Sequence, residues 1–123
     1  MAGNLIFGKR IRELREAKLR TDPRFTLRQF AKMVHVSPTF LSKMERGEFD
    51  PPKPEKIKKM AELLEVDADE LLALAGRVDP ELNEIIREQP SVLPDLLRTV
   101  RGMSDEQLRK LARQAERARK KES

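Results

Sequence analysis

Residues 26–46 constrain the fold most strongly, because two helix-start signals follow one another closely there. Thr26 followed by Gln29 forms a capping-box pattern, in which each side chain can satisfy an orphan backbone N–H group. Ser37 followed by Pro38 is a second start, since proline in the first helical position loses no hydrogen bond. The spacing predicts two short helices joined by a tight turn.

Both predicted helices have one apolar face and one polar face. The apolar residues fall at helical spacing and are Phe30, Ala31, Val34, Phe40, Leu41 and Met44. Two such helices cannot bury their apolar faces alone, so further helices must cover them. The second helix presents hydroxyl groups and cations on its polar face, which suits a DNA major groove. The spacing alone equally allows a helical hairpin whose polar face is merely solvated.

Composition limits the class of protein further. The chain has 123 residues, of which 38% are charged and 4% are aromatic. It has room for one domain with a small appendage and an aliphatic, thin core. The absence of cysteine excludes a disulfide framework and a thiolate metal site. No signal pattern or membrane-spanning run is present, so we expect a cytoplasmic protein without a membrane partner.

Nothing in the sequence points to catalysis. We find no nucleophile–base pair, no metal-ligand cluster and no phosphate-binding glycine loop. His35 is the only histidine, and one histidine without cysteines or a carboxylate cluster is poor support for a metal or a general base. We therefore expect no enzyme activity, no cofactor and no metal.

The net charge of +5 is distributed unevenly along the chain. Residues 1–46 carry 11 Lys and Arg against 4 Asp and Glu, a balance of +7. Residues 47–76 have a balance of −4 and residues 77–123 one of +2. The basic excess therefore coincides with the predicted helix pair, where phosphate neutralisation would need it.

Several motifs, taken together, resemble the λ-repressor-like (Xre) family of bacterial and phage regulators. The matching pieces are Phe7-Gly8-Lys9-Arg10-Ile11-Arg12-Glu13-Leu14-Arg15, Phe30-Ala31, Val36 to Gly47, Pro52, Ile57, Met60 to Leu64 and Asp69 to Leu72. The resemblance covers roughly residues 5–75. It implies an all-α fold, namely a five-helix λ-repressor-like DNA-binding domain (residues 1–76) followed by a small C-terminal helical appendage (residues 77–123).

The resemblance also implies roles for individual residues. The residues placed against base edges are Ser37, Pro38, Thr39, Ser42 and Lys43. From their own positions and charges, we expect Arg28 or Gln29, together with Arg46, Lys53 and Lys56, to contact the DNA backbone, although the positions of Lys53 and Lys56 fit ordinary solvated lysines nearly as well. A structural ion pair is expected between Arg15 and Glu45. This sequence departs from the family at two positions, with His35 where the turn usually has glycine and Leu27 where helix 2 often begins with glutamine.

Helix signals continue outside the helix pair. We predict helices at about residues 5–18, 54–64, 68–75, 80–88, 93–101 and 105–120, with capping boxes at Asp67/Glu70 and Ser104/Gln107. The last three predicted helices carry apolar stripes that a region this small cannot bury by itself. They must pack either on the fifth helix or on a second chain. The residues expected in such an interface are Leu82, Ile85, Ile86, Leu93, Leu96, Leu97, Val100, Leu108 and Leu111.

These observations predict a sequence-specific regulator of double-stranded DNA. Repressors of this type bind two half-sites as two-fold dimers, so we expect a dimeric repressor that reads the major groove with helix 3, about residues 38–46. The alternative is an antitoxin-like or protease-controlled DNA-binding regulator whose C-terminal helices bind a different protein.

Overall fold

The computed structural model describes residues 3–122, and within that range the chain is all-helical, without a strand. It contains one 3₁₀ turn (Pro23–Phe25) and the helices α1 (Leu5–Leu19), α2 (Leu27–Met33), α3 (Pro38–Glu45), α4 (Pro54–Leu64), α5 (Ala68–Leu74), α6 (Pro80–Glu88), α7 (Val92–Thr99) and α8 (Asp105–Glu122). The predicted all-α fold is confirmed. The chain divides into two compact units, the first ending at Pro80 and the second beginning at Glu81. No helix among the described residues is both long and apolar enough to cross a bilayer.

The helix starts follow the predicted caps with two changes of detail. Thr26 Oγ1 accepts from Gln29 N at 3.3 Å, but the N–H of Thr26 donates to Pro23 O, because the 3₁₀ turn runs directly into α2. The predicted capping box is therefore formed in one direction only. At α5 the box was wrong: the Asp67 carboxylate accepts from Asp69 N at 3.0 Å, one residue earlier than a box requires.

The first unit encloses one apolar core, to which all five of its helices and the 3₁₀ turn contribute. Its buried members are Phe7, Ile11, Phe25, Phe30, Ala31, Val34, Leu41, Met44, Ile57, Met60, Ala61, Leu64, Leu71 and Leu72. Phe25 was not predicted to be buried, yet its ring packs on Phe30 with 5.7 Å between the ring centroids. Phe40 was expected in the core and is only half-buried, at its edge, where its ring packs on Phe49 in the loop after α3.

The second unit consists of α6, α7 and α8, and none of the described residues in these helices is buried. The predicted capping box at the start of α8 is complete, since Ser104 and Gln107 exchange both hydrogen bonds, at 3.0 and 3.1 Å. Helix α7 ends two residues earlier than predicted, with Val100 as its C-cap. Such a difference is within the usual variation of helix ends.

Aliphatic side chains are exposed along the second unit. Leu97 is 56% exposed, Leu96 is 46% exposed and Ile85 is 42% exposed. Leu82 and Leu108 are exposed as well, and Ile86, Leu93, Val100 and Leu111 are half-buried. These are the residues for which the sequence predicted an interface with another chain.

Candidate nucleic-acid interface

Helix α3 presents a polar face to solvent and buries an apolar one. Ser37 Oγ caps its start by accepting from Phe40 N at 3.0 Å, and Pro38 occupies the first helical position. Ser37, Pro38 and Thr39 are exposed, and Ser42 and Lys43 are half-buried. All five predicted base-contacting residues thus lie on, or directly before, the outward side of α3. A helix about 10–12 Å across fits a major groove about 12 Å wide.

The close packing of α3 on α1 depends on Gly8. A Cβ atom built on Gly8 would lie 2.2 Å from Met44 O and 2.8 Å from Glu45 O, so no side chain fits there. The backbone of α3 therefore lies directly against the backbone of α1. This contact leaves the opposite side of α3 free to face a ligand.

The predicted ion pair between Arg15 and Glu45 is present and buried. Arg15 Nε donates to Glu45 Oε2 at 2.8 Å, and Arg15 Nη2 donates to Oε1 at 2.9 Å. The two side chains are only 7% and 3% exposed. The hydrogen bond to Glu45 raises the pKa of the Arg15 guanidinium above its usual value, against the opposing effect of burial. A third bond, from Arg15 Nη1 to Phe25 O at 3.1 Å, connects the pair to the 3₁₀ turn.

The turn between α2 and α3 has a left-handed residue at His35, with φ of +59°. This is the position where the resembled family usually has glycine, and a side chain there carries a conformational cost. Lys56 of α4 supports the turn, because its Nζ donates to His35 O at 3.0 Å and to Val34 O at 3.5 Å. Lys56 was predicted to contact DNA phosphate, and in this structure its ammonium group binds the turn.

The other residues predicted to contact the DNA backbone differ in how far their side chains are already paired within the protein. Arg28 and Gln29 are exposed on α2, and Lys53 is exposed at the N-cap of α4. Arg46 forms an ion pair with Glu48 at 3.0 Å between Nε and Oε2. A phosphate would therefore have to displace a carboxylate at Arg46, whereas Arg28 and Lys53 are presented to solvent.

Phe49 is a residue of this surface that the sequence analysis missed. The ammonium group of Lys43 lies over the Phe49 ring, 5.1 Å from its centroid. The Phe49 ring also packs on Phe40, with 5.8 Å between the centroids. The only signal in the sequence is one large apolar residue in an otherwise polar, proline-rich loop.

A shallow groove of about 430 Å³ opens beside the start of α3. Its lining is mostly apolar and includes Val36, Ser37, Phe40, Pro52, Lys53, Glu55 and Lys56.

No group of His, Cys, Asp or Glu side chains within residues 3–122 could hold a metal ion. The chemistry that the surface around α3 offers is therefore hydroxyl, methyl and ammonium contact, together with exposed cations on α2 and at the start of α4.

Comparison with known proteins agrees with this geometry. Residues 6–74 match the family described as Helix-turn-helix domain, which is more than half of the chain. The chain is similar to the "Uncharacterized HTH-type transcriptional regulator RghRB" of Bacillus subtilis (strain 168), with 38% identity over 79 residues that cover 64% of this chain and 53% of that regulator. It is also similar to the "HTH-type transcriptional repressor RghR" of the same organism, with 36% identity over 73 residues that cover 59% of this chain and 50% of that repressor.

The chain spans about half the length of these two curated relatives. No solved structure matches it significantly. The family match covers α1 to α5 as well as the turn between α2 and α3, which is the part of the chain where the sequence resemblance was found. The chain therefore belongs to the λ-repressor-like (Xre) family of helix-turn-helix transcriptional regulators.

Proposed function

We propose that this protein is a cytoplasmic transcriptional repressor, and not an enzyme, that binds a specific DNA sequence as a homodimer. In this proposal residues 1–76 form the DNA-binding domain, α3 reads base edges in the major groove, and residues 77–123 hold two copies together. The observation that carries the proposal is the polar face that α3 presents to solvent. The Arg15–Glu45 pair and the Gly8 contact hold the opposite side of α3 against α1. One relative is named as a repressor, which supports repression as the outcome of binding.

The assignment of contacts follows from side-chain chemistry. Lys43 can donate to guanine O6 and N7, Thr39 can use its hydroxyl or its methyl group, and Pro38 can make only apolar contact. Arg28 and Lys53 carry exposed cations that suit phosphate oxygens. Base contacts of this kind confer sequence preference, and phosphate contacts confer affinity for any sequence.

The exposed aliphatic residues of the second unit support a homodimer. A unit of this size rarely supplies enough core to fold alone, and none of the described residues in α6, α7 and α8 is buried. A second copy of the same chain would offer an identical apolar surface, as a two-fold interface requires. Two reading helices related by that axis would then face two half-sites.

The test of DNA reading is selection of bound sites from random duplex DNA by the full chain. We expect a two-fold symmetric site with half-sites about one helical turn apart. Lys43→Ala should relax the preference at one base pair of each half-site by about 1–3 kcal/mol, whereas Arg28→Ala should weaken all sequences alike. No enrichment of any sequence, or equal effects of both substitutions, would contradict the assignment of α3 as the reading helix.

The test of the dimer compares two substitutions that add the same charge to α7. Leu97→Glu places a carboxylate in the exposed apolar face, and Ser91→Glu places one at the exposed N-cap of α7, at least about 120° around the helix from every apolar residue of that face. Light scattering should give twice the chain mass of 14.2 kDa for the unchanged protein and for Ser91→Glu, but a monomer for Leu97→Glu. A monomeric unchanged protein that selects a single half-site would refute the homodimer and favour a different protein as the partner of the second unit.

A further inference from the structure

The loop between α3 and α4 brings an aromatic ring to a residue proposed to read DNA. Phe49 is 38% exposed, and its ring contacts both the ring of Phe40, with 5.8 Å between the centroids, and the ammonium group of Lys43, 5.1 Å from the Phe49 centroid. We propose that Phe49 is a positioning residue, which holds the Lys43 ammonium at the edge of the reading face and thereby sets base preference at one position. This inference rests on the proposed function of α3.

The backbone around Phe49 is anchored on both sides, which limits where its ring can lie. Asp50 Oδ1 accepts from Gly3 N at 2.7 Å, and Pro51 O accepts from Arg77 Nη2 at 2.8 Å. On the N-terminal side of Phe49, Glu48 N donates to the carbonyl oxygen of Lys43 at 2.8 Å. The loop is therefore connected to the N-terminus, to the end of α5 and to α3 itself.

Contact with the Phe49 ring should lower the entropy that the Lys43 side chain loses when it binds a base. Its charge is a point at the end of a flexible four-carbon stem, and fixing such a stem on a base costs conformational entropy. The negative face of an aromatic ring attracts an ammonium group electrostatically within about 6 Å of the centroid, and the observed distance of 5.1 Å lies inside that range. With its ammonium already near the ring, Lys43 loses less freedom when it contacts a base.

A purely structural role for Phe49 predicts a different result. If the ring serves only to cover Phe40, its replacement changes stability, and base preference follows only as far as α3 is disturbed. If the ring acts through Lys43, its replacement has no effect on base preference once the lysine is gone. The two roles are therefore separated by combining substitutions at Phe49 and Lys43.

The experiment uses the full chain and random duplex DNA, with the variants Phe49→Leu, Phe49→Tyr, Lys43→Met and the double variant with Phe49→Leu and Lys43→Met. Leucine keeps an apolar side chain without an aromatic face, and tyrosine keeps the face. Lys43→Met should identify the base pair that the lysine reads. At that base pair, Phe49→Leu should reduce the preference for the selected base by about two- to fivefold, which is the size of an exposed cation–π contact. Phe49→Tyr should retain discrimination, and the double variant should match Lys43→Met alone.

A measurement without DNA tests the contact itself. In the free protein, the ring should shift the proton resonances of the Lys43 ε-methylene group upfield, and Phe49→Leu should abolish that shift. An unshifted Lys43 resonance, unchanged discrimination in Phe49→Leu, or an equal effect of Phe49→Leu with and without Lys43 would overturn the inference alone. Failure of the unchanged chain to select any sequence would instead overturn the proposed function, and this inference with it.

Discussion

The buried ion pair between Arg15 and Glu45 gives the sharpest test of how α3 is held. Removing one partner leaves the other as an unpaired charge whose side chain is under 10% exposed, and such a loss costs about 3–5 kcal/mol. The first unit, which ends at Pro80, should have a total free energy of unfolding of about 4–12 kcal/mol. Either Arg15→Met or Glu45→Met should therefore remove a large part of that stability.

The assay is urea and thermal unfolding of both single variants and of the double variant with methionine at both positions. Each single variant should lower the melting temperature by about 4–8 °C per kcal/mol lost. The double variant should lose less than the sum of the single losses, because no unpaired charge remains in it. The matched control is Arg12→Met, since the exposed Arg12–Glu16 pair on the same helix, at 3.4 Å, should contribute under about 1 kcal/mol.

Losses below about 1 kcal/mol in both single variants, or losses that simply add in the double variant, would refute this reasoning. The first result would mean that water reaches the pair and screens it as at a surface. The second would mean that Arg15 and Glu45 stabilise the fold through separate contacts, for which the bond from Arg15 to Phe25 O would be the first candidate.

Three further predictions concern the same unit. Gly8→Ala should lower the free energy of unfolding by about 1–3 kcal/mol, because the added Cβ would lie 2.2 Å from a backbone oxygen of α3; an unchanged urea midpoint would contradict the close packing. His35→Gly should raise the free energy of unfolding by up to about 1 kcal/mol. The left-handed backbone costs a residue with a side chain about 1–2 kcal/mol, and the greater conformational entropy that glycine loses on folding offsets part of this gain. A fall in the free energy of unfolding would show that the histidine side chain contributes to the turn. The hydrogen bonds from Arg24 lower the pKa of Asp22 to about 2 from 3.8, so the stabilisation it provides is present above about pH 4 and is lost as the pH falls toward 2. Arg24→Gln should move the NMR titration midpoint of Asp22 up toward 3.8, and an unmoved midpoint would contradict this cause.

Local signals predicted the helices well where a cap and an apolar period agree. Helix α4 has the predicted bounds, because Pro54 can occupy only a first turn and Ile57, Met60, Ala61 and Leu64 repeat at helical spacing. The half-formed capping box at Thr26 shows a hydrogen bond that the local sequence pattern did not predict. The donor that completes the pattern goes to the preceding 3₁₀ turn, which no periodicity indicated.

Contacts between distant parts of the chain could not be predicted from spacing. The Arg15–Glu45 pair was expected only through the family resemblance, because no local pattern connects residues 30 positions apart. Lys56 was assigned to phosphate since nothing in the local sequence shows that a lysine on the polar face of α4 supports a turn 21 residues earlier. Phe49 was missed for a similar reason: its role depends on where a proline-rich loop returns to α3.

Helix α3, which we propose to read DNA, owes its geometry to tertiary contacts and not to its own propensity. Helix α3 has eight residues, and isolated helices shorter than about 12–15 residues are marginal in water. The Gly8 contact, the Arg15–Glu45 pair and the Lys56 bonds to the turn must therefore fix the direction of α3. Substitutions at these supports should lower stability and DNA affinity together, whereas Lys43→Ala should change base preference with a loss of stability of under about 1 kcal/mol, the size of its contact with Phe49. A variant such as Gly8→Ala that bound DNA with unchanged affinity and preference despite lost stability would show that α3 finds its position from the DNA and not from the fold.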